Sequence, residues 1–329
     1  MIQDADFWYT FLRPTVDWYF RHSYRHCRYI GLEHIPSDGS VIFAPNHQNG
    51  LMDALAVLAI DAQPKVFVAR ADIFKNPKTA RILHWLKIMP INRVRDGLDM
   101  VRKNDETMDR AVEVLNAGVP FCILPEGTHR RKHALLPLQK GLFHIALKAA
   151  AAPENERPLY IVPIGLDYSD WYHYWGDLTV RIGRPIDVRA YIASRRDLTE
   201  PQLINAMREE LTERMQGLFP CVPDDANYEQ NWARLVESQQ PKINSRETRA
   251  RRVGRWLMLI LLSPLALVSG AVTIPLWLLP MALRAKVKDP AFQIAILFVW
   301  SWIMMLLTLF VLLPFWWFIL EYLYQCRKI

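Results

Sequence analysis

The chain has 329 residues, which is enough for one large domain or two ordinary ones. Its 40 lysines and arginines exceed its 33 aspartates and glutamates, and the net charge of +7 suits nucleic acid, an anionic membrane or an acidic substrate. The four cysteines include no Cys-x-x-Cys pair. Their spacing excludes the usual zinc site and disulfide framework and favours a reducing compartment.

The N-terminal segment, residues 1–27, combines aromatic and basic side chains. Its first six residues contain neither a basic region nor an apolar run, so they do not resemble a secretory signal. Aromatic residues then interleave with arginines: Phe7, Trp8, Tyr9, Phe11, Trp18, Tyr19 and Phe20 with Arg13, Arg21, Arg25 and Arg28. This pattern predicts either a helix in the lipid headgroup layer or a helix packed on the domain core.

Short apolar stretches alternate with helical patterns over residues 28–217, which predicts one α/β domain. The predicted strands are Arg28–Leu32, Val41–Ala44, Lys65–Ala69, Ile88–Ile91, Pro120–Leu124, Leu159–Pro163 and Leu178–Ile182. The predicted helices include Met52–Ile60, Asp99–Ala117, Leu142–Ala150 and Thr199–Leu218. The last of these follows a capping threonine and has an apolar residue at every fourth position from Leu203.

The first polar motif lies where the strand Val41–Ala44 ends and a helix begins. His47 follows the strand, and Asp53 lies about one helical turn further on. Histidine titrates near neutrality, and a carboxylate on its second ring nitrogen fixes the tautomer and stabilises the imidazolium. The pair is therefore a candidate general base for a hydroxyl group. The alternative is a helix cap and a turn residue without chemical function.

Later strand ends carry groups that bind anions. In the turn after Leu124, Gly127 permits close backbone approach and Thr128 offers a hydroxyl. Lys140 precedes a predicted helix N-terminus, and Arg93 follows another strand with a guanidinium that matches phosphate. Because ligands bind outside the strand ends of open α/β sheets, we expect these loops to meet in one crevice. A solvated turn is the alternative for each loop alone.

Four blocks occur in one order along this region. They are Asn46-His47 through Asp53, Ile91-Asn92-Arg93, Leu124-Pro125-Glu126-Gly127-Thr128 with Pro137-Leu138-Gln139-Lys140-Gly141, and Ile161-Val162-Pro163-Ile164-Gly165. In order and spacing they resemble the blocks of the phospholipid/glycerol acyltransferase superfamily, the PlsC type. The resemblance covers roughly residues 28–217. It implies a mixed, mostly parallel sheet flanked by helices.

The resemblance also implies a role for each matching residue. His47 matches the catalytic base that takes the proton of the acceptor hydroxyl, Asp53 the carboxylate that orients it, and Arg93 the ligand of the acceptor's phosphate. The other candidate substrate-binding residues are Asn46, Glu126, Gly127, Thr128, His129, Arg130 and Lys140. No metal and no cofactor are expected, because the acyl thioester of CoA or an acyl carrier protein is already activated.

The chain departs from the family pattern at two places. Five residues instead of four separate His47 from Asp53, and we expect Gly50 to absorb the additional residue in the turn. His129 stands where the third block has an arginine. We therefore expect Arg130 or Arg131 to contact the phosphate, unless the acceptor headgroup differs.

The last third of the chain contains two long uncharged segments. Trp256–Leu283 has 28 residues and Ala291–Leu320 has 30, and each exceeds the roughly 20 that span a bilayer. We expect about two spans within residues 253–329, after a polar and basic connector at 218–252; short broken helices are the alternative. The flanking basic residues predict that the catalytic domain lies at the cytoplasmic face of the cell membrane and that anionic lipid is a partner.

Together these features predict a membrane-bound O-acyltransferase of phospholipid biosynthesis. The expected reaction transfers a fatty acyl group from acyl-CoA or acyl carrier protein to 1-acyl-sn-glycerol-3-phosphate and yields phosphatidate. Acylation of glycerol-3-phosphate or of a lyso-aminolipid stays open, as does a non-catalytic lipid-binding scaffold. Nucleic acid is not an expected partner, because the basic residues flank the predicted spans and no recognition-helix or zinc-finger spacing is present.

Overall fold

The computed structural model describes residues 2–4, 6–92, 104–152, 157–171, 173–239 and 278–307. The chain divides into two compact units, Met1–Trp232 and Ala233–Ile329. Up to residue 239 the helices are α1 (Phe7–His22), α2 (Leu51–Leu58), α3 (Pro77–Trp85), α4 (Asn104–Asn116), α5 (Gly141–Ala151), α6 (Val188–Ala193), α7 (Glu200–Gln216) and α8 (Tyr228–Gln239). The strands are β1 (His26–Ile30), β2 (Ser40–Pro45), β3 (Val66–Arg70), β4 (Ile88–Ile91), β5 (Phe121–Cys122), β6 (Leu159–Tyr168), β7 (Asp177–Ile182) and β8 (Ile186–Asp187).

Within the described residues the strands form one mixed sheet in the order β1-β7-β6-β2-β5-β3-β4, and β8 pairs with β6. All pairs are parallel except those of β6 with β7 and with β8. The predicted fold class, an α/β fold with a mixed, mostly parallel sheet flanked by helices, is confirmed. Because β6, β2, β5, β3 and β4 run in one direction, their carboxyl ends share one edge, where the predicted polar turns lie.

Strand β6 is longer than predicted, and this difference affects the site. The predicted strand ends at Pro163, a residue that donates no backbone hydrogen bond. In the structure, Pro163 lies between the two antiparallel pairings of β6, with β8 at Ile161 and with β7 from Ile164 onward. The missing N–H is therefore tolerated, and the strand continues to Tyr168 at the carboxyl edge of the sheet.

Helix α7 confirms the predicted apolar repeat. Thr199 and Gln202 form a capping box at its start. Leu203, Met207, Leu211 and Met215 are buried in the core, which also contains buried side chains of α4, α5 and the central strands. This side of the sheet is thus covered by helices.

Arg13 joins α1 to the end of α2. Its side chain is buried, its Nε donates to Asp17, and its guanidinium donates to the carbonyl oxygens of Leu58, Asp61 and Gln63. Leu58 is the last residue of α2 and the other two carbonyls follow it, at the helix end where backbone oxygens lack helical partners and a cation is favourable. Arg13 therefore fixes the C-terminus of the helix that carries Asp53 near its other end.

We expect Arg13→Ala to lower the free energy of unfolding by about 3 kcal/mol, since it removes the guanidinium donor from the Asp17 carboxylate and from the part-buried carbonyls of Leu58 and Asp61. Thermal unfolding of the purified protein measures the change. Arg25→Ala is the control, because its ion pair with Asp177 is solvent-exposed and should contribute little. Equal melting temperatures of the two variants would contradict this account of Arg13.

One described helix, Pro290–Leu307, is long and apolar enough to cross a membrane, judged by its 18 residues and mean hydropathy of 1.9. Apart from Pro290, it lies within the second predicted span, whose residues 308–320 are outside the described residues. Of the first predicted span, the structure describes residues 278–283, which are helical. The basic cluster before that span is also outside the described residues.

Candidate active site

The turn after β2 brings His47 and Asp53 together. Nδ1 of His47 lies 2.8 Å from Oδ2 of Asp53. Gly50 adopts φ 54° and ψ −119°, a conformation that glycine reaches without steric cost, and α2 begins at the next residue. Gly50 therefore accommodates the additional residue of this motif, and the five-residue spacing does not separate the pair.

Asp53 is fully buried and surrounded by donors. Besides the His47 ring, its Oδ2 accepts the backbone N–H groups of Gln48 at 2.8 Å and Asn49 at 2.7 Å. Its Oδ1 accepts the hydroxyl of Tyr168 at 2.8 Å. These donors, together with the N-terminus of α2, stabilise a negative charge on the carboxylate. Because Nδ1 of His47 faces this carboxylate, Nε2 is the ring nitrogen left to accept a proton.

Glu126 holds the turn that contains His47. Its Oε1 accepts the backbone N–H of His47 at 2.6 Å, and its Oε2 accepts that of Leu136 at 2.8 Å. Burial raises the pKa of Glu126 to about 7, although the two backbone donors oppose this shift. The family resemblance implies a substrate-binding role for Glu126; in the structure, its two carboxylate oxygens each accept a backbone N–H.

The raised pKa of Glu126 predicts a pH effect on stability. The folded state binds its proton more tightly than the unfolded state does, so this stabilisation is complete below pH 4.5 and is lost as the pH rises through about 7. We expect the wild type to lose more unfolding free energy between pH 4.5 and 7.5 than the Glu126→Gln variant loses. The difference between the two losses should be on the order of 2 kcal/mol. Denaturant titrations at the two pH values test it, and equal changes in both proteins would contradict it.

Asn46 is buried and bridges two strands. Its side-chain amide donates to the carbonyl of Leu166 at 3.1 Å, and its Oδ1 accepts the N–H of Leu166 at 2.6 Å. Both polar atoms of the predicted substrate-binding side chain thus join the end of β2 to β6. Asn46 places the His47 turn against the neighbouring strand.

Of the remaining predicted substrate-binding residues, the structure describes five, and the His129 ring contacts the His47 ring of the His47–Asp53 pair. The His129 ring lies 5.2 Å from that of His47, Thr128 is exposed, and Gly127 has φ +67°, in the left-handed region. Arg130 forms an ion pair with Asp224, which also pairs with Lys132. Lys140 is exposed immediately before α5, and Arg93 lies outside the described residues.

Sequence reasoning missed the residues that connect the site to distant parts of the chain. Gln48 donates to the carbonyl of Lys132 at 2.9 Å and accepts from the Trp171 indole at 3.2 Å. Tyr168 lies beyond the predicted end of its strand. Recognising that Pro163 falls between two strand pairings would have extended β6 to Tyr168 and placed that residue beside the His47 turn. In the part of the chain that the structure describes, no group of three or more His, Cys, Asp or Glu side chains is arranged to hold a metal ion.

The fold and the pair define the class of protein: an α/β enzyme domain in which a buried carboxylate holds a histidine at the carboxyl edge of the sheet. Residues 26–167 match the family model described as Acyltransferase. The matched segment is similar to the phospholipid/glycerol acyltransferase superfamily, as are the relatives described below. The resemblance in the four sequence blocks is thereby confirmed.

Three similar proteins illustrate the relationship. The chain is 27% identical over 186 residues to 1-acyl-sn-glycerol-3-phosphate acyltransferase BAT2, chloroplastic, of Brassica napus. This alignment covers 55% of this chain and 49% of that protein. The chain is 28% identical over 144 residues to 1-acyl-sn-glycerol-3-phosphate acyltransferase alpha of Mus musculus, with coverage of 43% and 46%. The chain thus spans about half the length of these relatives. The crystal structure of the 1-acyl-sn-glycerophosphate acyltransferase PlsC from Thermotoga maritima has a TM-score of 0.45 at 22% identity and covers 63% of this chain and 80% of that one.

Proposed function

We propose that the protein transfers a fatty acyl group from a thioester of CoA or an acyl carrier protein to the free hydroxyl of 1-acyl-sn-glycerol-3-phosphate and forms phosphatidate. The contact of 2.8 Å between His47 Nδ1 and Asp53 Oδ2 carries this proposal, because it prepares Nε2 to act as a base. The activities named for the relatives from Brassica napus and Mus musculus support the acceptor.

In the proposed reaction, Nε2 of His47 accepts the proton of the acceptor hydroxyl while the oxygen bonds to the thioester carbonyl carbon. The tetrahedral intermediate then collapses, and the C–S bond breaks with its electron pair on sulfur. The imidazolium returns the proton to the thiolate, which leaves an ester and a free thiol. The acceptor hydroxyl takes the part of the serine in a hydrolase triad, so neither an acyl-enzyme nor a metal or cofactor is required.

Acyl transfer by the purified full-length protein in lipid–detergent micelles tests the proposal. Radiolabelled acyl-CoA and acyl carrier protein are each offered with lysophosphatidate, glycerol-3-phosphate or lysophosphatidylethanolamine. We expect labelled phosphatidate from lysophosphatidate. Product from glycerol-3-phosphate alone would assign the preceding acylation, product from the lyso-aminolipid alone would assign that headgroup, and no product from any acceptor would favour the non-catalytic scaffold.

We further propose that α1 and α3 present one lipid-binding surface, here called the aromatic surface. Phe7, Trp8 and Phe11 of α1 and Ile82 and Trp85 of α3 are exposed. The indole of Trp85 donates to Asp6 at 2.9 Å, and its ring packs on Tyr9, so the two helices meet at these ends. The exposed cations of α3, Lys78 and Arg81, complement anionic lipid.

Substituting Phe7, Trp8 and Phe11 together by serine tests the aromatic surface. We expect slower acylation of long-chain lysophosphatidate in anionic vesicles and an unchanged rate with a short-chain monomeric lysophosphatidate. Equal effects on both substrates, or no effect on either, would overturn the assignment. The exposed Trp175→Ser variant is the control, since that side chain is equally exposed outside the surface.

The cytoplasmic placement of the domain and the presence of two spans are also part of the proposal. The basic residues that flank the two predicted spans in the sequence support it. Protease digestion of intact cells and of inverted membrane vesicles tests the placement: we expect cleavage of the acyltransferase domain in the inverted vesicles alone, and cleavage in intact cells would overturn it.

A further inference from the structure

Tyr168 contacts the carboxylate of Asp53 at the oxygen that does not contact His47. It is the last residue of β6 and fully buried, and its hydroxyl donates to Oδ1 of Asp53 at 2.8 Å. The other carboxylate oxygen, Oδ2, accepts the His47 ring. The single carboxylate of Asp53 therefore joins the Tyr168 hydroxyl to the imidazole.

We propose that Tyr168 is a positioning residue for the acyl-transfer reaction: its hydroxyl orients the carboxylate of Asp53 and takes up part of its charge, and thereby sets the basicity of His47. The inference rests on the proposed function, in which His47 is the base. A donor on Oδ1 withdraws charge from Oδ2, so the imidazolium is stabilised less than beside an uncompensated carboxylate.

The surroundings of Tyr168 keep its hydroxyl a donor. Burial raises the pKa of Tyr168 well above that of free tyrosine, and the nearby Asp53 charge acts in the same direction. The phenol is therefore protonated wherever the enzyme works. The ring also packs beside Tyr24, at 6.2 Å between centroids, so its position is set by the core and not by the hydrogen bond alone.

Other titratable groups that face Asp53 are Tyr24, Cys122 and Glu126, and the His129 ring faces His47 at 5.2 Å between centroids. Burial raises the pKa values of Tyr24 and Cys122, which keeps both neutral. Glu126, with a pKa of about 7, titrates near neutrality. Glu126 is present in the wild type and in both variants below. Its effect on the pH profile is therefore common to all three proteins and does not produce a difference between them.

The test compares Tyr168→Phe with Tyr29→Phe in the full-length protein. Tyr29 is the matched control, since its hydroxyl donates to the backbone carbonyl of Ala56 in α2 at 3.1 Å and not to the carboxylate. We expect Tyr168→Phe to lower kcat/KM about tenfold and to move the acid limb of its pH profile upward by about half a pH unit. Tyr29→Phe should leave the profile in place. An unshifted profile in Tyr168→Phe, or an equal shift in both, would overturn the proposal.

A second readout separates this inference from the proposed function. Nitrogen-15 NMR of the His47 ring follows its titration without turnover, and we expect the midpoint to rise in Tyr168→Phe. If the wild type acylates no acceptor while this midpoint still moves, the proposed function fails and the coupling of Tyr168 to His47 stands.

If Tyr168→Phe does not fold, 3,5-difluorotyrosine at position 168 conserves the shape and donates more strongly. It should move the midpoint downward. An unmoved midpoint would then overturn the proposal.

Discussion

His47→Ala should lower kcat for acyl transfer by about 10³-fold, because general-base catalysis commonly contributes 10²–10⁴-fold and alanine removes the proton acceptor entirely. Steady-state kinetics with saturating acyl-CoA and lysophosphatidate measures the effect. Asp53 keeps its donors from Gln48, Asn49 and Tyr168 in this variant. The melting temperature should therefore change little, and a loss of rate is attributable to the missing base.

The matched control is His26→Ala. His26 forms the same kind of contact, from Nδ1 to a carboxylate oxygen of Asp177 at 2.9 Å, but on the exposed outer strand β1. Its removal should leave kcat at the wild-type value. Wild-type turnover in His47→Ala would show that the turn after β2 is structural and that another group accepts the proton.

Asp53→Asn should lower kcat by about 10²–10³-fold, since the amide removes the charge that stabilises the His47 imidazolium. An asparagine oxygen at the place of Oδ2 still accepts from Gln48 and Asn49, and its NH₂ group donates to the Tyr168 oxygen. The turn therefore stays folded. With less stabilisation of the imidazolium, the acid limb of the pH profile should move to lower pH, opposite to the shift expected for Tyr168→Phe.

Asp177→Asn is the control for this variant, because it makes the same substitution in the exposed His26 pair. It should change neither kcat nor the pH profile. Wild-type kcat in Asp53→Asn would mean that the buried carboxylate only anchors the start of α2. A loss of rate with an unshifted acid limb would mean that Asp53 orients His47 without acting through its charge.

The sequence alone predicted those parts of the fold whose causes lie close together in the chain. The strand β2, the turn with His47 and the start of α2 follow from a short apolar run, Pro45 and a helical pattern. The repeat in α7 is equally local, since four of its buried residues recur at every fourth position. His47 and Asp53 are six residues apart, so their pairing was also within reach of sequence reasoning.

The roles of the third-block residues required the tertiary structure. Glu126 was expected to bind the acceptor, but its two oxygens hold the backbone of His47 and Leu136. Arg130 or Arg131 was expected to contact phosphate, unless the headgroup differs; in the structure Arg130 pairs with Asp224, which is 94 residues away. No local pattern indicates either partner, because each contact depends on which loops the sheet brings together.

The sequence by itself determined the α/β class, the His–Asp motif and the family, because strand and helix patterns and short motifs are local. Only the tertiary structure decided what surrounds that motif. β2 lies between β5 and β6, and this order places Glu126 on one side of the His47 turn and Tyr168, 115 residues beyond Asp53, on the other. Strand order depends on how whole elements pack against one another, and no short sequence pattern records it. Strand β6 is the example, because it continues past Pro163 and brings Tyr168 to the edge of the sheet where β2 ends.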